Sequence, residues 1–179
     1  NAMFMSVTTR TAGFNTIDLS NLSDSGTLLS LILMLIGGCP GSTAGGLKTT
    51  TIAVVVIAVF AMAKGGDDIN TFKRRIASDV VKQSAVIILI YLFAVMLSSM
   101  IICSVEGLGM SQVLFETASA AGTVGVSKGI TNQISVISKI ILMIMMYGGR
   151  IGGLSLVLVF GQRKPEAPVK RPTEQILIG

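Results

Sequence analysis

The sequence predicts an all-α membrane protein built of helix–pore-loop–helix repeats, with a re-entrant loop and a broken transmembrane helix. Three observations point there. Of the 179 residues, 51% are hydrophobic and 13% charged, and the mean hydropathy is +0.77. Soluble domains carry about 25% charged residues, so this chain has too few to coat a water-facing surface. The charges gather in short clusters that separate apolar blocks long enough to cross a bilayer. Finally, a glycine-bearing loop recurs at a fixed offset, each time ahead of a long apolar stretch.

The same composition excludes several classes. The chain is too apolar for disorder. Histidine is absent, which removes a His-based triad, metal site or proton relay. Cys39 and Cys103 cannot make a zinc site alone, and their apolar surroundings speak against a disulfide scaffold. The ten methionines read as lipid-facing or packing residues rather than a copper site. The formal net charge of +5 reflects positive-inside loops rather than nucleic-acid binding, because the basic residues cluster beside apolar spans.

Along the chain, Asn1–Ser23 is polar and threonine-rich, with no basic n-region or apolar h-region of a signal peptide. It reads as the tail of an element whose beginning is missing, in a fragment of a longer protein. Between Asp24 and Lys64 lie 39 residues with one charge, Lys48. As one helix they would extend roughly 58 Å, about twice the hydrocarbon core. Their middle, 37–46, is rich in glycine with Pro40, a helix breaker. The reading is a helix over 25–36, an intramembrane loop over 37–46 and a helix over 47–62. Residues 1–62 thus hold one loop at 11–14 and the broken helix 25–62.

Residues 63–82 form a basic linker with Lys64, Lys73, Arg74, Arg75 and Lys82. The 23 uncharged residues 83–105 suffice for one span, and 134–160 for another with Arg150 near its centre. The tail 161–179 holds Arg163, Lys164, Lys170 and Arg171, with Pro165, Pro168 and Pro172 keeping it extended until Gln175–Ile178. Two spans separate the basic segments, so 64–82 and the tail share one side. The positive-inside rule makes that side the cytoplasm, and the protein a multi-pass protein of the cell (inner) membrane. Segment 106–133, with Glu106, Glu116 and one basic residue, Lys128, then faces outward.

Within that segment, Leu114–Ala121 reads as a helix too short to span. It runs into Gly122, Thr123, Val124, Gly125, Val126 and Ser127. A short helix followed by a glycine-rich extended turn between two spans describes a re-entrant pore loop over 111–127. Non-helical backbone survives at membrane depth only where it is buried in protein or lines a wet cavity. Thr-Val-Gly is the core of a potassium selectivity filter, in which backbone carbonyls replace the ion's water and glycine permits the backbone angles. The plain alternative is a glycine-rich turn outside the membrane. Thr11, Ala12, Gly13 and Phe14 align with Thr123, Val124, Gly125 and Val126 at an offset of 112. Gly37-Gly38 and Gly148-Gly149 follow at an offset of 111, so the unit is an internal repeat. Its first copy lacks the preceding helix.

Gly41–Thr49 comes close to a nucleotide P-loop, but Leu47 is one residue too many, no strand precedes it and no acidic Mg²⁺ ligand follows. Two readings of 37–46 remain. One is a helix kink packed on a neighbour. The other is a flexible plug beneath the filter, whose Ser42 and Thr43 satisfy freed backbone groups or meet the ion.

Together these residues resemble the Trk/Ktr/HKT potassium transporter superfamily. Ser6–Thr16 is similar to its third pore loop, and Gly37–Thr49 to its intramembrane gating loop. Ala121–Ser127 resembles its fourth filter, and Tyr147–Gly152 its Arg-bearing final helix. The ending Glu174–Gly179 resembles Ktr-type membrane subunits. The resemblance implies potassium uptake through a backbone-carbonyl filter, here Thr11, Ala12, Gly13 and Phe14 with Gly122, Thr123, Val124, Gly125 and Val126. It implies gating by Gly37, Gly38, Gly41, Ser42, Thr43, Gly45, Gly46, Lys48 and Arg150. The chain would hold the end of the third repeat and all of the fourth. K⁺ is the implied transported ion, and Na⁺ the implied coupling ion of Ktr types. A homodimer of full-length subunits and a cytoplasmic nucleotide-binding regulatory ring are the implied partners, beside the lipid membrane. Two other classes compete: a secondary transporter with broken helices and midplane binding, and an intramembrane enzyme. The duplicated loops favour the filter over the first. Lack of His, of an acid inside a span and of a placeable Ser–Lys pair weighs against the second.

An ionisable residue at bilayer depth normally faces a cavity or a partner. In the resembled family Arg150 faces the ion path near the gating loop. A cation there would hold the loop through its carbonyls and repel potassium. Lys48 could equally reach toward the cytoplasmic surface. The pairs Gly148/Gly152 and Gly149/Gly153 match small-xxx-small helix packing.

Overall fold

The computed structural model describes residues 2–16, 19–65, 69–71 and 74–152. They form six helices: α1 (Ala2–Thr8), α2 (Asp24–Leu35), α3 (Thr49–Ala63), α4 (Ser78–Glu106), α5 (Met110–Ala121) and α6 (Val136–Ile151). Short 3₁₀ turns lie at Leu19–Asn21 and Ile130–Asn132. The two-residue strands β1 (Asn70–Thr71) and β2 (Arg74–Arg75) pair antiparallel within the basic linker.

Helix starts follow local chemistry. Ser23 caps α2 by accepting from the Gly26 amide, and Asp24 in the first turn complements the helix dipole. Ser135 caps α6 by accepting from the Ser138 amide. Glu106, the last residue of α4, accepts from the Ser135 amide at 2.9 Å and from the Ser135 and Ser138 hydroxyls at 2.5 Å each. One carboxylate therefore ties the end of α4 to the positive end of α6.

At 29 residues, α4 is about 43 Å long and is the one helix among the described residues long and apolar enough to cross a membrane. Leu89, Phe93 and Met100 stand exposed on it, while Ser84, Val95, Ser98, Ser99 and Ile102 are buried. The Ser98 and Ser99 hydroxyls donate back to the Ala94 and Val95 carbonyls, so these two inward hydroxyls are satisfied within the helix, whereas the buried Tyr91 hydroxyl has no partner among the described residues. An apolar outer face over an inner one that mixes serines with Val95 and Ile102 differs from the polar outer face of a soluble helix.

The centre of the fold is α5, which packs against α2, α4 and α6. Every residue from Phe115 to Ala121 is buried. The small residues Ala118–Ala121 let neighbouring backbones approach closely. A Cβ on Gly149 of α6 would fall 1.9 Å from the Ala121 carbonyl oxygen. The Ser99 and Thr117 hydroxyls meet at 2.6 Å between α4 and α5. One apolar cluster joins Met5, Leu19, Met34, Phe115, Val124 and Val126, and another joins Ile102, Val113, Ala120, Ile130, Ile134 and Leu142.

Several expectations are corrected. The span expected over 83–105 begins at Ser78, inside the expected linker. Charged side chains near a helix end can reach water while the backbone stays helical, so Asp79 and Lys82 ride on α4. The first loop does not lack a helix before it, because α1 precedes Thr11. The short helix expected from Leu114 starts at Met110. The last described helix ends at Ile151, since Gly152 takes a φ of +83°. Arg150 accordingly sits exposed in the last turn rather than at mid-helix. The expected continuation to residue 160, Gly153, the tail 161–179 and Lys73 lie outside the described residues.

The two adjacent glycines of α6 make a test. No described heavy atom lies within 4 Å of a Cβ on Gly148, whereas one on Gly149 would strike the Ala121 backbone. In the purified full-length protein, Gly149→Ala is expected to lower thermal stability by about 1–3 kcal/mol equivalent through overpacking. Gly148→Ala is expected to be neutral or to stabilise by up to about 1 kcal/mol. Equal melting temperatures for the two variants would contradict the packing described.

Candidate functional site

The two loops of the internal repeat share one backbone signature. Thr11 and Thr123 both take positive φ, +64° and +54°, and Gly13 and Gly125 follow at +77° and +92°. A left-handed conformation costs a β-branched residue roughly 1–2 kcal/mol, which surrounding structure must offset. The loops also lie side by side. A Cβ on Gly13 would come within 2.4 Å of the Val124 carbonyl oxygen, and one on Gly125 within 4.0 Å of the Gly13 Cα. Glycine permits the angles at both positions and the close approach at Gly13.

Hydrogen bonding in the loops is one-sided. The amides of Gly122, Thr123 and Val124 donate to the carbonyls of Ala118, Ala120 and Ser119 at 2.8, 3.0 and 2.9 Å. The Gly125 amide donates to the Ser119 hydroxyl at 3.2 Å. In the first loop, the Ala12 and Gly13 amides donate to the Thr8 carbonyl at 3.1 and 3.2 Å, and the Thr8 hydroxyl donates to Phe14 O at 2.5 Å. Among the described residues, no donor reaches the carbonyls of Ala12, Gly13, Thr123, Val124 or Gly125. The amides are spent on the supporting helix and five carbonyls are left to face something else.

Residues 37–46 bulge from the junction of α2 and α3. Their neck is closed by Gly37 N to Leu47 O at 2.8 Å, Leu47 N to Leu35 O at 3.3 Å and Thr49 N to Gly38 O at 3.2 Å, with Ile36 and Leu47 in a parallel bridge. Gly45 and Gly46 are buried, while 39–43 are exposed. The Gly45 amide donates to the Thr123 hydroxyl at 3.0 Å, and a Cβ on Gly45 would lie 2.3 Å from that oxygen. The excursion therefore meets the second loop directly.

Two cations grip the same excursion. Lys48 Nζ donates to Ala44 O at 2.6 Å and to Ser42 O at 3.1 Å. Arg150 donates from a terminal guanidinium nitrogen to Thr43 O at 2.7 Å. Three consecutive carbonyls are claimed by two fixed charges. Lys48 thus turns onto its own loop rather than away from it. Gly41, at the tip, contacts nothing within 4 Å of a Cβ position. A cavity of about 460 Å³ lies beside the loop, lined by residues that include Pro40, Gly41, Lys48, Gln83, Ser84 and Gly152.

Other residues here carry no role in the sequence reading. Thr8 and Ser119 anchor the loops, and both belong to the Ser/Thr/Ala-rich stretches ahead of the repeat, which were the available signal. Lys128 Nζ donates to the Thr27 hydroxyl at 2.7 Å and lies 5.4 Å from the centroid of the Phe115 ring. Glu116, the one acid on α5, is buried among hydroxyls.

The Gly45–Thr123 bond can be examined alone. Thr123→Val keeps the branched shape but leaves the buried Gly45 amide unpaired, at a cost of about 1–3 kcal/mol. Hydrogen exchange in the full-length protein should accelerate at the Gly45 amide in this variant and stay near wild type in Thr123→Ser. Unchanged exchange in Thr123→Val would mean that this contact does not hold the loop.

The family model of the TrkH cation transport proteins matches residues 1–170. The chain is 37% identical over 178 residues to Ktr system potassium uptake protein D of Bacillus subtilis, covering 99% of this chain and 40% of that protein. It is 38% identical over 185 residues to the potassium/sodium uptake protein NtpJ of Enterococcus hirae, covering 100% of this chain and 41% of that protein. It is 34% identical over 178 residues to Ktr system potassium uptake protein B of Vibrio alginolyticus, covering 99% of this chain and 39% of that protein. The chain therefore spans about two fifths of the length of these relatives. With a helical fold and a match over nearly its whole length, the chain belongs to the TrkH family of cation transport proteins, membrane transporters rather than enzymes.

Proposed function

We propose that this chain is the last part of a potassium-uptake pore, holding the end of a third helix–pore-loop–helix repeat and the whole of a fourth. Thr11–Phe14 and Gly122–Val126 are two of its filter strands. The single observation that carries this reading is the pair of neighbouring loops with matched positive φ, amides turned onto the supporting helix and carbonyls that, Phe14 O excepted, receive no donor among the described residues. Carbonyls freed in that way are the ligands that replace a potassium ion's water. The names of the relatives add the ion: potassium uptake for the Ktr proteins, potassium and sodium for NtpJ. Sodium enters the proposal as coupling ion.

The excursion 37–46 is the gate. It lies against the filter loop through Gly45 and is held by Lys48 and Arg150. In the full-length protein we place 64–82 and the tail in the cytoplasm of a multi-pass subunit, which pairs as a homodimer and docks on a nucleotide-binding regulatory ring. The Ktr-system names of the relatives favour such added components.

The full-length parent should restore growth of a potassium-uptake-deficient bacterium at low potassium. Gly125→Ser and Gly13→Ser should weaken potassium-over-sodium discrimination, because a side chain at those φ values misaligns the carbonyls. Membrane expression without growth or flux would remove the potassium reading, and unchanged selectivity in both variants would remove the filter.

The gate has its own test. The Arg150–Thr43 bond is charge-assisted, and losing about 1.5 kcal/mol from the closed state shifts its population roughly tenfold. Arg150→Ala should raise potassium flux in proteoliposomes by up to that factor while ion preference is kept. Flux equal to or below wild type, with equal amounts of folded protein, would defeat the gate.

A further inference from the structure

We infer that Glu116 is a positioning residue for the outer end of the filter loop, acting through Ser127 and Thr131. This rests on the filter reading above and extends it to a residue that touches no part of the ion path.

The fourth loop is fastened to α5 in stages. At its inner end, the carbonyls of Ala118, Ala120 and Ser119 receive the amides of Gly122, Thr123 and Val124. At its middle, the Ser119 hydroxyl receives the Gly125 amide. Beyond Val126 the backbone of α5 is out of reach, and a side chain takes over. Glu116 Oε1 accepts from the Ser127 hydroxyl, and Oε2 accepts from the Thr131 hydroxyl at 3.2 Å. The Lys128 amide also donates to this carboxylate. The Ser127 and Thr131 hydroxyls lie 3.0 Å apart, and Ser127 Oγ receives the Gly129 amide at 2.8 Å.

Glu116 is 7% exposed. A buried carboxylate is retained at such a cost only where its oxygens are well bonded. An apolar residue of similar size would fill the space more cheaply, and what only the carboxylate supplies is an acceptor for several donors of one loop. Those donors belong to Ser127 and Lys128, directly after Val126, and to Thr131. Fixing them sets where Gly125 and Val126 point their carbonyls, since glycine at φ +92° has little stiffness of its own. Lys128, in turn, bonds Thr27 on α2, so the bracket also registers this loop against the preceding repeat unit.

The experiment uses the full-length transporter in proteoliposomes, with potassium-over-sodium selectivity and melting temperature measured on the same preparations. Glu116→Gln, Ser127→Ala and the double variant are compared with wild type and with Gly125→Ser. The expected result is a fall in selectivity of about fivefold or more for Glu116→Gln, a similar fall for Ser127→Ala, and a double variant no worse than the poorer single one, the mark of a shared contact. Glu116→Asp should recover part of the loss. If Gly125→Ser loses selectivity while Glu116→Gln and Ser127→Ala keep it, the bracket is wrong and the filter stands. If melting temperature falls while selectivity holds, Glu116 merely supports the fold and the inference fails. Selectivity unchanged in Gly125→Ser removes the filter, and the bracket with it. Should Glu116→Gln fail to fold, Ser127→Ala and Thr131→Val carry the same comparison with the carboxylate intact.

Discussion

Backbone that leaves a helix within a packed interior must find partners for its amides, because water does not reach them there. The rest of this structure follows from how that requirement is met. In the loop after α5, all four amides from Gly122 to Gly125 turn back onto the helix that precedes them. A peptide whose N–H points at its own support points its C=O away. Satisfying the amides locally is thus the step that presents a row of carbonyls with no donor among the described residues. The same economy appears in the shorter first loop through Thr8. It also explains why α5 is so buried: a helix that must hold the loop in place needs walls on several sides, and α2, α4 and α6 supply them.

That arrangement forces the choice of small residues. Three helices can converge on α5 and its loop only if side chains at the crossings nearly vanish, as at Gly149 over Ala121 and Gly45 beneath Thr123. Convergence then offsets the strain of the two threonines held in the left-handed region. Thr123 shows why a threonine is kept there: its hydroxyl receives the Gly45 amide, so the strained residue is also the contact between the loop and the excursion 37–46.

Much of this was legible in the residues. The offset of 112 between Thr11 and Thr123 marked an internal repeat, and the two copies share positive φ at the threonine and at the glycine two residues on. The break at 37–46 was legible from glycine and proline, and the family from the loop motifs together. Ends were less so. The start of α4 at Ser78 was hidden because charge counting stops at Lys82, while a helix can continue past its apolar block. Arg150 looked central because the apolar run extends beyond Ile151, yet a run of glycines lets the chain turn at Gly152. Glu116 gave only a weak signal, a lone acid among small residues, since what it binds lies 11 and 15 positions away and periodicity says nothing of loops. Lys48 was undecided between loop and surface, because sequence fixes its depth but not which way a flexible four-carbon stem turns.

The choice of carbonyls over carboxylates as partners for Lys48 and Arg150 has a consequence for the proposed gate. A buried ion pair would cancel both charges and leave the passage neutral. Carbonyl dipoles hold the two cations without cancelling them, so under the proposed gate the loop would keep its positive charge beside the path. Obstruction and repulsion then act together, and they share a release. In the proposed gate, moving the excursion would free the Ser42, Thr43 and Ala44 carbonyls from the two side chains. The proposed gate would then open by breaking the three hydrogen bonds that Lys48 and Arg150 make to the loop carbonyls.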